Sequence, residues 1–310
     1  MGILVLTHPQ PAQPFVQAFE RLLPDERVFV DRETALAQAD QVQAVLLWRL
    51  VPGLLAPFGA LRFVAASAAG VDKILGPHLP PDLPVTRTID PEQNLQIAQY
   101  VCAMVLRHVR QSSLYDAQQR DRQWKRHPVP QPCDITVGLL GLGESGRVVA
   151  GALRALGFSV VGWSRSPKTV PGVIAFEGPQ GLTDMLAQCQ VLVCLLPLTP
   201  ETEGLVNARL LAALPPGAFL INVARGAHVV EADLEQALRS GHLAGAALDV
   251  QSSEPLPADS SLWEVPGLIL TPHVASLPSA QTVVMQVAEN LQRARRNEPL
   301  LRVVDRTRGY

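Results

Sequence analysis

Ile135-Thr136-Val137-Gly138-Leu139-Leu140-Gly141-Leu142-Gly143-Glu144-Ser145-Gly146 is an apolar run that turns into three spaced glycines. The aliphatic part has the character of a buried strand, and residues 147–156 behind it read as an amphipathic helix. Gly141 permits a tight turn, Gly143 lets a ligand approach the main chain, and Gly146 lets helix and strand pack closely. The start of the helix offers unpaired N–H groups and a partial positive charge. A strand, turn and helix in this order cradle the pyrophosphate of a dinucleotide. The plain alternative is a glycine-rich turn that binds nothing. Gly141, Gly143, Glu144, Ser145 and Gly146 are the residues expected at the cofactor, with the Glu144 carboxylate turned to solvent.

Outward from this turn, short aliphatic runs alternate with helical patterns along most of the chain. Strands are expected near residues 3–6, 27–30, 44–48, 61–65 and 84–86, with helices near 15–22 and 33–38. One long helix is expected over about residues 92–124, ending in His127-Pro128-Val129-Pro130-Gln131-Pro132. A second series of strands follows at 135–140, 159–161, 191–195, 218–223, 244–248 and 268–270, closed by a helix over 280–295. Such alternation builds parallel sheets covered by helices on both faces.

The 310 residues are 47% hydrophobic and 17% charged, enough to bury a sizeable core. A net charge of −2 gives no electrostatic reason for nucleic acid or an anionic membrane as partner. Cys102, Cys133, Cys189 and Cys194 have no metal-ligand spacing, and no metal is expected. Cys189 and Cys194 flank a strand and read as core residues rather than a disulfide pair. The start, Met1-Gly2-Ile3-Leu4-Val5-Leu6, lacks a basic segment and reads as a first strand, not a secretion signal. A reducing cytoplasm is the expected setting.

The choice of dinucleotide turns on Ser164-Arg165-Ser166-Pro167-Lys168, after the second strand of the later series. An NAD site places an acid about 20 residues past the glycines to hold the ribose hydroxyls. No acid stands here. Ser164, Arg165, Ser166 and Lys168 instead offer charge-assisted donors suited to a 2′-phosphate. NADPH is the expected cofactor, with NADH possible. A solvated basic turn is the plain alternative.

Three later strands deliver chemistry at their carboxyl ends. Ala218-Phe219-Leu220-Ile221-Asn222-Val223-Ala224-Arg225 brings Arg225. Leu248-Asp249-Val250-Gln251-Ser252-Ser253-Glu254 brings Asp249 and Glu254, and Leu268-Ile269-Leu270-Thr271-Pro272-His273 brings His273. Singly, Arg225 reads as a surface charge, Glu254 as a loop carboxylate and His273 as a helix-capping imidazole. Together, following a dinucleotide turn, they read as a reaction centre, because ligands of open α/β sheets bind outside the strands' carboxyl ends.

With these motifs assembled, the chain resembles the D-2-hydroxyacid dehydrogenase family. The matching segments are 141–146, Leu196-Pro197-Leu198-Thr199-Pro200-Glu201-Thr202, Asn222-Val223-Ala224-Arg225-Gly226, Asp249 with Glu254-Pro255-Leu256, and Thr271-Pro272-His273. Trp163-Ser164-Arg165-Ser166, Glu254-Pro255-Leu256-Pro257 and the tail over 304–310 are most similar to the family's glyoxylate/hydroxypyruvate reductase A branch. The resemblance implies two Rossmann-like, doubly wound parallel-sheet domains with a cleft between them. Residues 1–100 plus 283–310 would form a flavodoxin-like substrate domain, and 101–282 the dinucleotide-binding domain.

It also implies the reaction: NADPH-dependent reduction of a small 2-ketoacid, glyoxylate to glycolate or hydroxypyruvate to glycerate. Arg225 would pair with the substrate carboxylate, and His273 would protonate the ketone oxygen. Glu254 would orient the imidazole and stabilise its charged form. On resemblance alone, Asp249 meets the nicotinamide carboxamide and Leu196, Pro197 and Leu198 form the adenine-side wall. Thr202, Val223, Ala224 and Ser276 complete the cofactor contacts on the same basis. Ala69, Gly70 and Val71, in Ser67-Ala68-Ala69-Gly70-Val71-Asp72, match the loop whose amides hold the substrate carboxylate, with Trp48 as a pocket wall. Gln99, where the family carries Glu, and Ser145, where it carries an apolar residue, depart from the pattern. Arg49 adds a charge beside Trp48 and is expected to favour polar or doubly charged ketoacids.

The resemblance further implies a homodimer, with residues 118–131 as the embracing arm. Two other readings stay open at this stage. One is an NADH-linked dehydrogenase for another acid, and the other a non-catalytic, dinucleotide-sensing protein of the corepressor kind.

Overall fold

The computed structural model describes residues 2–309, and the chain divides into two compact units. The first comprises Met1–Gln93 and Pro278–Tyr310, and the second Asn94–Leu277. Both are α/β structures on all-parallel sheets.

The first unit carries strands β1 (Gly2–Leu6), β2 (Arg27–Phe29), β3 (Val42–Leu47), β4 (Phe63–Ala66) and β5 (Val85–Thr86). Their order is β2-β1-β3-β4-β5, the flavodoxin-like arrangement. Side chains alternate between the faces of a strand, and here both faces are apolar. Ile3, Val5, Ala44, Leu46, Phe63 and Ala65 pack on helices α1 (Gln13–Leu22) and α9 (Ala280–Arg295), including Phe19, Val284 and Leu291. Leu4, Val45, Leu47, Val64 and Ala66 pack on the other face under Ala35 of α2 (Arg32–Leu36) and the loop residues Leu55, Phe58 and Ile74. Burial of α9 against this sheet ties the end of the chain to its beginning.

The second unit opens with most of α3 (Pro91–Val109) and α4 (Ser112–Arg120). Its strands are β6 (Thr136–Leu140), β7 (Ser159–Ser164), β8 (Ile174–Glu177), β9 (Val191–Cys194), β10 (Ala218–Asn222), β11 (Leu243–Leu248) and β12 (Leu268–Leu270). The order β12-β11-β10-β9-β6-β7-β8 reverses direction between β6 and β9, the switch point at which open parallel sheets bind nucleotides. Alternation divides the core. Val137, Leu139, Val191, Val193, Phe219 and Ile221 face α3 and α5 (Glu144–Ala155). Leu140, Leu192, Cys194 and Leu220 face α6 (Gly178–Leu186), α7 (Ala208–Ala212) and α8 (Glu231–Arg239).

All four cysteines are free, and Cys189 and Cys194 are buried in this second core. Burial pushes both thiols up to about 12. Among the described residues, no helix is long and apolar enough to cross a membrane.

Two local expectations need correction. The single helix over 92–124 is broken. Gln111 takes a left-handed conformation (φ 55°) between α3 and α4, and its side-chain amide donates to the Pro128 carbonyl at 3.0 Å. Beyond Arg120 the chain runs without regular structure to Gln131, where Pro128 and Pro130 lack the N–H a helix needs. Trp124 therefore lies outside any helix. Strand β8 was not foreseen: it is a largely exposed edge strand without a clear apolar pattern.

Candidate active site

The glycine turn lies between β6 and α5, beside the switch point. Gly141 has φ 108°, and its N–H donates to the Trp163 carbonyl at 2.8 Å. A side chain there would press on the Leu195 carbonyl oxygen at 2.9 Å, and one at Gly146 would collide with the Gly141 carbonyl. At Gly143 a Cβ would meet nothing within 4 Å, so this face of the turn is open. Gly143 also precedes the first turn of α5 without any side-chain cap. The turn is thus tight where helix and strand meet and bare where a phosphate would sit, which fits a dinucleotide. Glu144 is exposed, and the Ser145 hydroxyl bonds to Asn94 Oδ1 at 2.7 Å.

The neighbouring strand ends continue this strip. β7 ends at Ser164, whose hydroxyl donates to the Ser166 carbonyl at 2.7 Å and folds a turn that exposes Arg165 and Lys168. On the other side, β9 leads into Leu196-Pro197-Leu198 and a turn fixed by Thr202, whose hydroxyl donates to the Pro197 carbonyl at 2.8 Å and accepts the Thr199 N–H at 2.9 Å. Glu201 of this turn is held below the usual carboxylate range by the Thr199 hydroxyl, by its own backbone N–H and by the charge of Arg165. That acid near Arg165 was not singled out in the sequence.

β10 delivers Arg225. Asn222, fully buried at the strand's end, accepts the Ala224 N–H at 3.1 Å and donates to the Arg225 carbonyl at 2.9 Å. Arg225 donates its backbone N–H to His228 Nδ1 (3.1 Å), and Nε2 of the same ring lies 3.2 Å from the Pro197 carbonyl. A carbonyl only accepts, so Nε2 donates to Pro197, while Nδ1 lies within reach of both the N–H and the carbonyl (3.0 Å) of Arg225. This buried ring joins the Pro197 strip to the main chain of Arg225. Gly226 follows, so close to the next loop that a Cβ would overlap the Gln251 carbonyl.

β11 and β12 supply the rest. His273 Nδ1 lies 3.0 Å from Glu254 Oε2, with both side chains about a quarter exposed (29% and 26%). An ionised carboxylate only accepts, so Nδ1 is the donor of this pair. Glu254 is fixed in turn by the Gln251 N–H at 3.2 Å. His273 has φ 55°, a conformation costly for a residue with a Cβ.

Asp249, 1% exposed, spans this loop. Its Oδ1 accepts from the Thr271 hydroxyl (2.6 Å) and the Val274 N–H (2.9 Å), and its Oδ2 from the Ala275 N–H (2.8 Å). Ser276 is half-buried at the end of the same loop, and Val223 and Ala224 line the β10 end. The second unit therefore sets Gly141–Gly146, Arg165, Pro197, Arg225, Asp249 with Glu254, and His273 on the carboxyl ends of six strands adjacent in one sheet.

In the first unit, Trp48 follows β3 and carries the Lys73 ammonium 5.2 Å from its ring centroid. The Ser67 N–H donates to the Leu47 carbonyl at 2.8 Å, and Ala69 and Gly70 beyond it are exposed. The Ser67 hydroxyl is fully buried without a hydrogen-bond partner. Among the described residues, no group of three or more His, Cys, Asp or Glu could hold a metal ion.

Residues 102–275 match the model of the D-isomer specific 2-hydroxyacid dehydrogenase, NAD binding domain. The chain belongs to this family. A D-isomer specific 2-hydroxyacid dehydrogenase of Xanthobacter autotrophicus Py2, solved with NADPH and MES, is 39% identical. That match covers 100% of this chain and 99% of the other, at a TM-score of 0.92. The NADPH-dependent glyoxylate/hydroxypyruvate reductase of Sinorhizobium meliloti, solved with NADP and sulfate, is 34% identical over 100% and 99% of the two chains, with a TM-score of 0.93. A probable 2-hydroxyacid dehydrogenase of Rhizobium etli CFN 42, solved with NADP, HEPES and L(+)-tartaric acid, is 32% identical over 100% and 99%, at a TM-score of 0.90. The protein is accordingly an NAD(P)-dependent 2-hydroxyacid dehydrogenase built from two Rossmann-type units.

Proposed function

We propose that this dehydrogenase works as a reductase of small 2-ketoacids, converting glyoxylate to glycolate and hydroxypyruvate to glycerate, with NADPH preferred and NADH a poorer reductant. The observation that carries the proposal is the His273–Glu254 pair at 3.0 Å, set after β12 and β11, which follow the Arg225 strand β10 in sheet order. Arg225 offers a planar fork to the substrate carboxylate. Glu254 holds Nδ1 of His273, so Nε2 delivers its proton to the ketone oxygen as that oxygen gains charge. The reduced nicotinamide supplies the hydride to the carbonyl carbon. One ketoacid, one NADPH and one proton give one hydroxyacid and one NADP⁺. The open face at Gly143, the first turn of α5, the Leu196-Pro197 strip and the 223–224 strand end serve the dinucleotide, and Asp249 and Ser276 border its nicotinamide end. In the first unit, the exposed amides of Ala69 and Gly70, followed by Val71, suit a carboxylate, and the half-buried Trp48 an apolar wall.

The test is direct. Purified protein should consume NADPH when glyoxylate or hydroxypyruvate is added, and much more slowly with NADH. No turnover with any small 2-ketoacid would leave a dinucleotide-binding role without this chemistry.

The NADPH preference rests on Arg165, exposed at the end of β7 with no acid in the position that holds ribose hydroxyls. A charge-assisted bond to phosphate contributes about 1.5–3 kcal/mol. Arg165→Asp should therefore raise KM for NADPH by about 10- to 100-fold and leave KM for NADH within about threefold. Equal losses with both cofactors would remove Arg165 from the 2′-phosphate site.

The proposal includes a homodimer. Trp124 is 96% exposed on the irregular segment after α4, an unusual position for the largest apolar side chain. Burying such a ring in a partner would make it an anchor of the interface. Trp124→Ala should shift the sedimentation coefficient from dimer toward monomer at micromolar protein. An unchanged dimer would place the interface elsewhere.

A further inference from the structure

We propose that Tyr100 and Thr271 are positioning residues for His273, acting through the buried carboxylate of Asp249. Tyr100 lies on α3, and its hydroxyl meets Thr271 Oγ1 at 2.7 Å across 171 residues of sequence. Thr271 Oγ1 lies in turn 2.6 Å from Asp249 Oδ1.

The chemistry sets the direction of this chain. An ionised carboxylate has no proton to give, so the single Thr271 hydroxyl proton goes to Asp249. Thr271 can then only accept from Tyr100, which donates. The phenol can hold that role, because burial and then the nearby charge of Asp249 raise it above its ordinary range, outweighing the Thr271 hydrogen bond. Tyr100 is also half-buried among Ile97, Met104 and other neighbours of the second core, so its ring is itself fixed.

What the chain holds is the loop that bends the main chain at His273. Asp249 takes the N–H groups of Val274 and Ala275 on its side chain and that of His273 on its carbonyl, at 2.9, 2.8 and 2.8 Å. A left-handed conformation at a residue with a Cβ persists only where its surroundings over-determine it. Here Asp249 is the common partner, and its remaining strong donor is Thr271. Removing the phenol hydroxyl loosens Thr271, then Asp249, then the backbone that aims the imidazole. Linked hydrogen bonds strengthen one another, so the loss spreads along the chain. Misplacing a proton donor by a fraction of an ångström lowers turnover without weakening the binding of either reactant.

The inference rests on the reductase reading of the same site, so the experiment carries a readout independent of turnover. Four proteins are compared: wild type, Tyr100→Phe, Thr271→Val and Thr271→Ser. Phe keeps the ring in the core, Val keeps the shape of Thr, and Ser keeps the hydroxyl. Steady-state reduction of glyoxylate by NADPH should show kcat about fivefold lower in Tyr100→Phe and about thirtyfold lower in Thr271→Val, with both KM values within about twofold. Thr271→Ser should recover to within about threefold of wild type. The double variant Tyr100→Phe/Thr271→Val should be no slower than Thr271→Val alone, because the two groups act in one chain.

The second readout is the His273 imidazole resonance in NMR, assigned by its disappearance in a His273 variant. It should shift or broaden in the Phe and Val variants and stay in place with Ser. A wild type that turns over no ketoacid would defeat the reductase reading while leaving this arm intact. Wild-type kcat together with an unmoved resonance in both Tyr100→Phe and Thr271→Val would overturn the positioning role. So would losses that Thr271→Ser shares in full, or losses that appear only in KM alongside a lowered Tm. Should Tyr100→Phe fail to fold, the Val and Ser pair at 271 decides alone.

Discussion

His273→Gln should lower kcat for ketoacid reduction by about a thousandfold while KM for NADPH stays within about twofold. Gln is polar, of similar reach, and able to donate to Glu254, so the loop and the carboxylate keep a partner. It cannot part with a proton. A positioned general acid contributes about 10²–10⁴ in rate, and the proposed acid stands 3.0 Å from the Glu254 carboxylate. Without it the ketone oxygen must take its proton from water while hydride arrives. Stopped-flow and steady-state rates measure the effect. A loss below tenfold would mean that the proton comes from another group.

Arg225→Gln should act on a different parameter. The guanidinium lies at the end of β10, held by Asn222 and His228 through its main chain, and the Arg225 side chain donates to the Ala224 carbonyl at 2.7 Å. A substrate carboxylate prefers two parallel bonds from such a planar fork. Truncating one member of such a charge pair costs about 2–5 kcal/mol, so kcat/KM should fall by about 10²–10³-fold, chiefly through KM for the ketoacid. Lys at 225 should recover little, because a single ammonium does not reproduce the planar fork. Product analysis with a ketone that lacks the carboxylate gives the control: its slow reduction should be nearly indifferent to the change. An equal loss with that ketone would move Arg225 from substrate binding to a general structural role.

The two signatures, kcat for His273 and KM for Arg225, separate the proton donor from the anchor. What was legible in sequence is their placement: each lies shortly past the end of an aliphatic strand of an all-parallel sheet, at the edge where such sheets bind ligands. The glycine turn was readable for a related reason: spacing, a strand before it and a helix after it all encode one local geometry.

Other features depend on contacts that no local pattern contains. The break at Gln111 has neither Gly nor Pro to mark it, and it goes with a hydrogen bond from its side-chain amide to the Pro128 carbonyl seventeen residues on. β8 pairs with β7 at the sheet's edge, and its largely exposed residues carry no strand-like alternation. Tyr100 and Thr271 meet across 171 residues. Thr271 stood inside a quoted motif, but nothing nearby pointed to its partner. The hydroxyl at Ser145 looked like a misfit among apolar relatives until Asn94 supplied its acceptor. His228 was hidden in plain view, three residues past Arg225, because its use lies in a carbonyl at Pro197 on another strand.

At Gly226 the loop that carries Arg225 lies main chain to main chain against the loop that leads to Glu254. No rotamer stands between them to be repacked, so the gauge between the site's cation and its acid is set by bare peptide dimensions. Drift in the surrounding core can tilt this seat as a whole but has no lever with which to pull its two halves apart. Under the proposed reading, changes in substrate range would then come from the walls around the reacting atoms, with the inner spacing passed on unaltered.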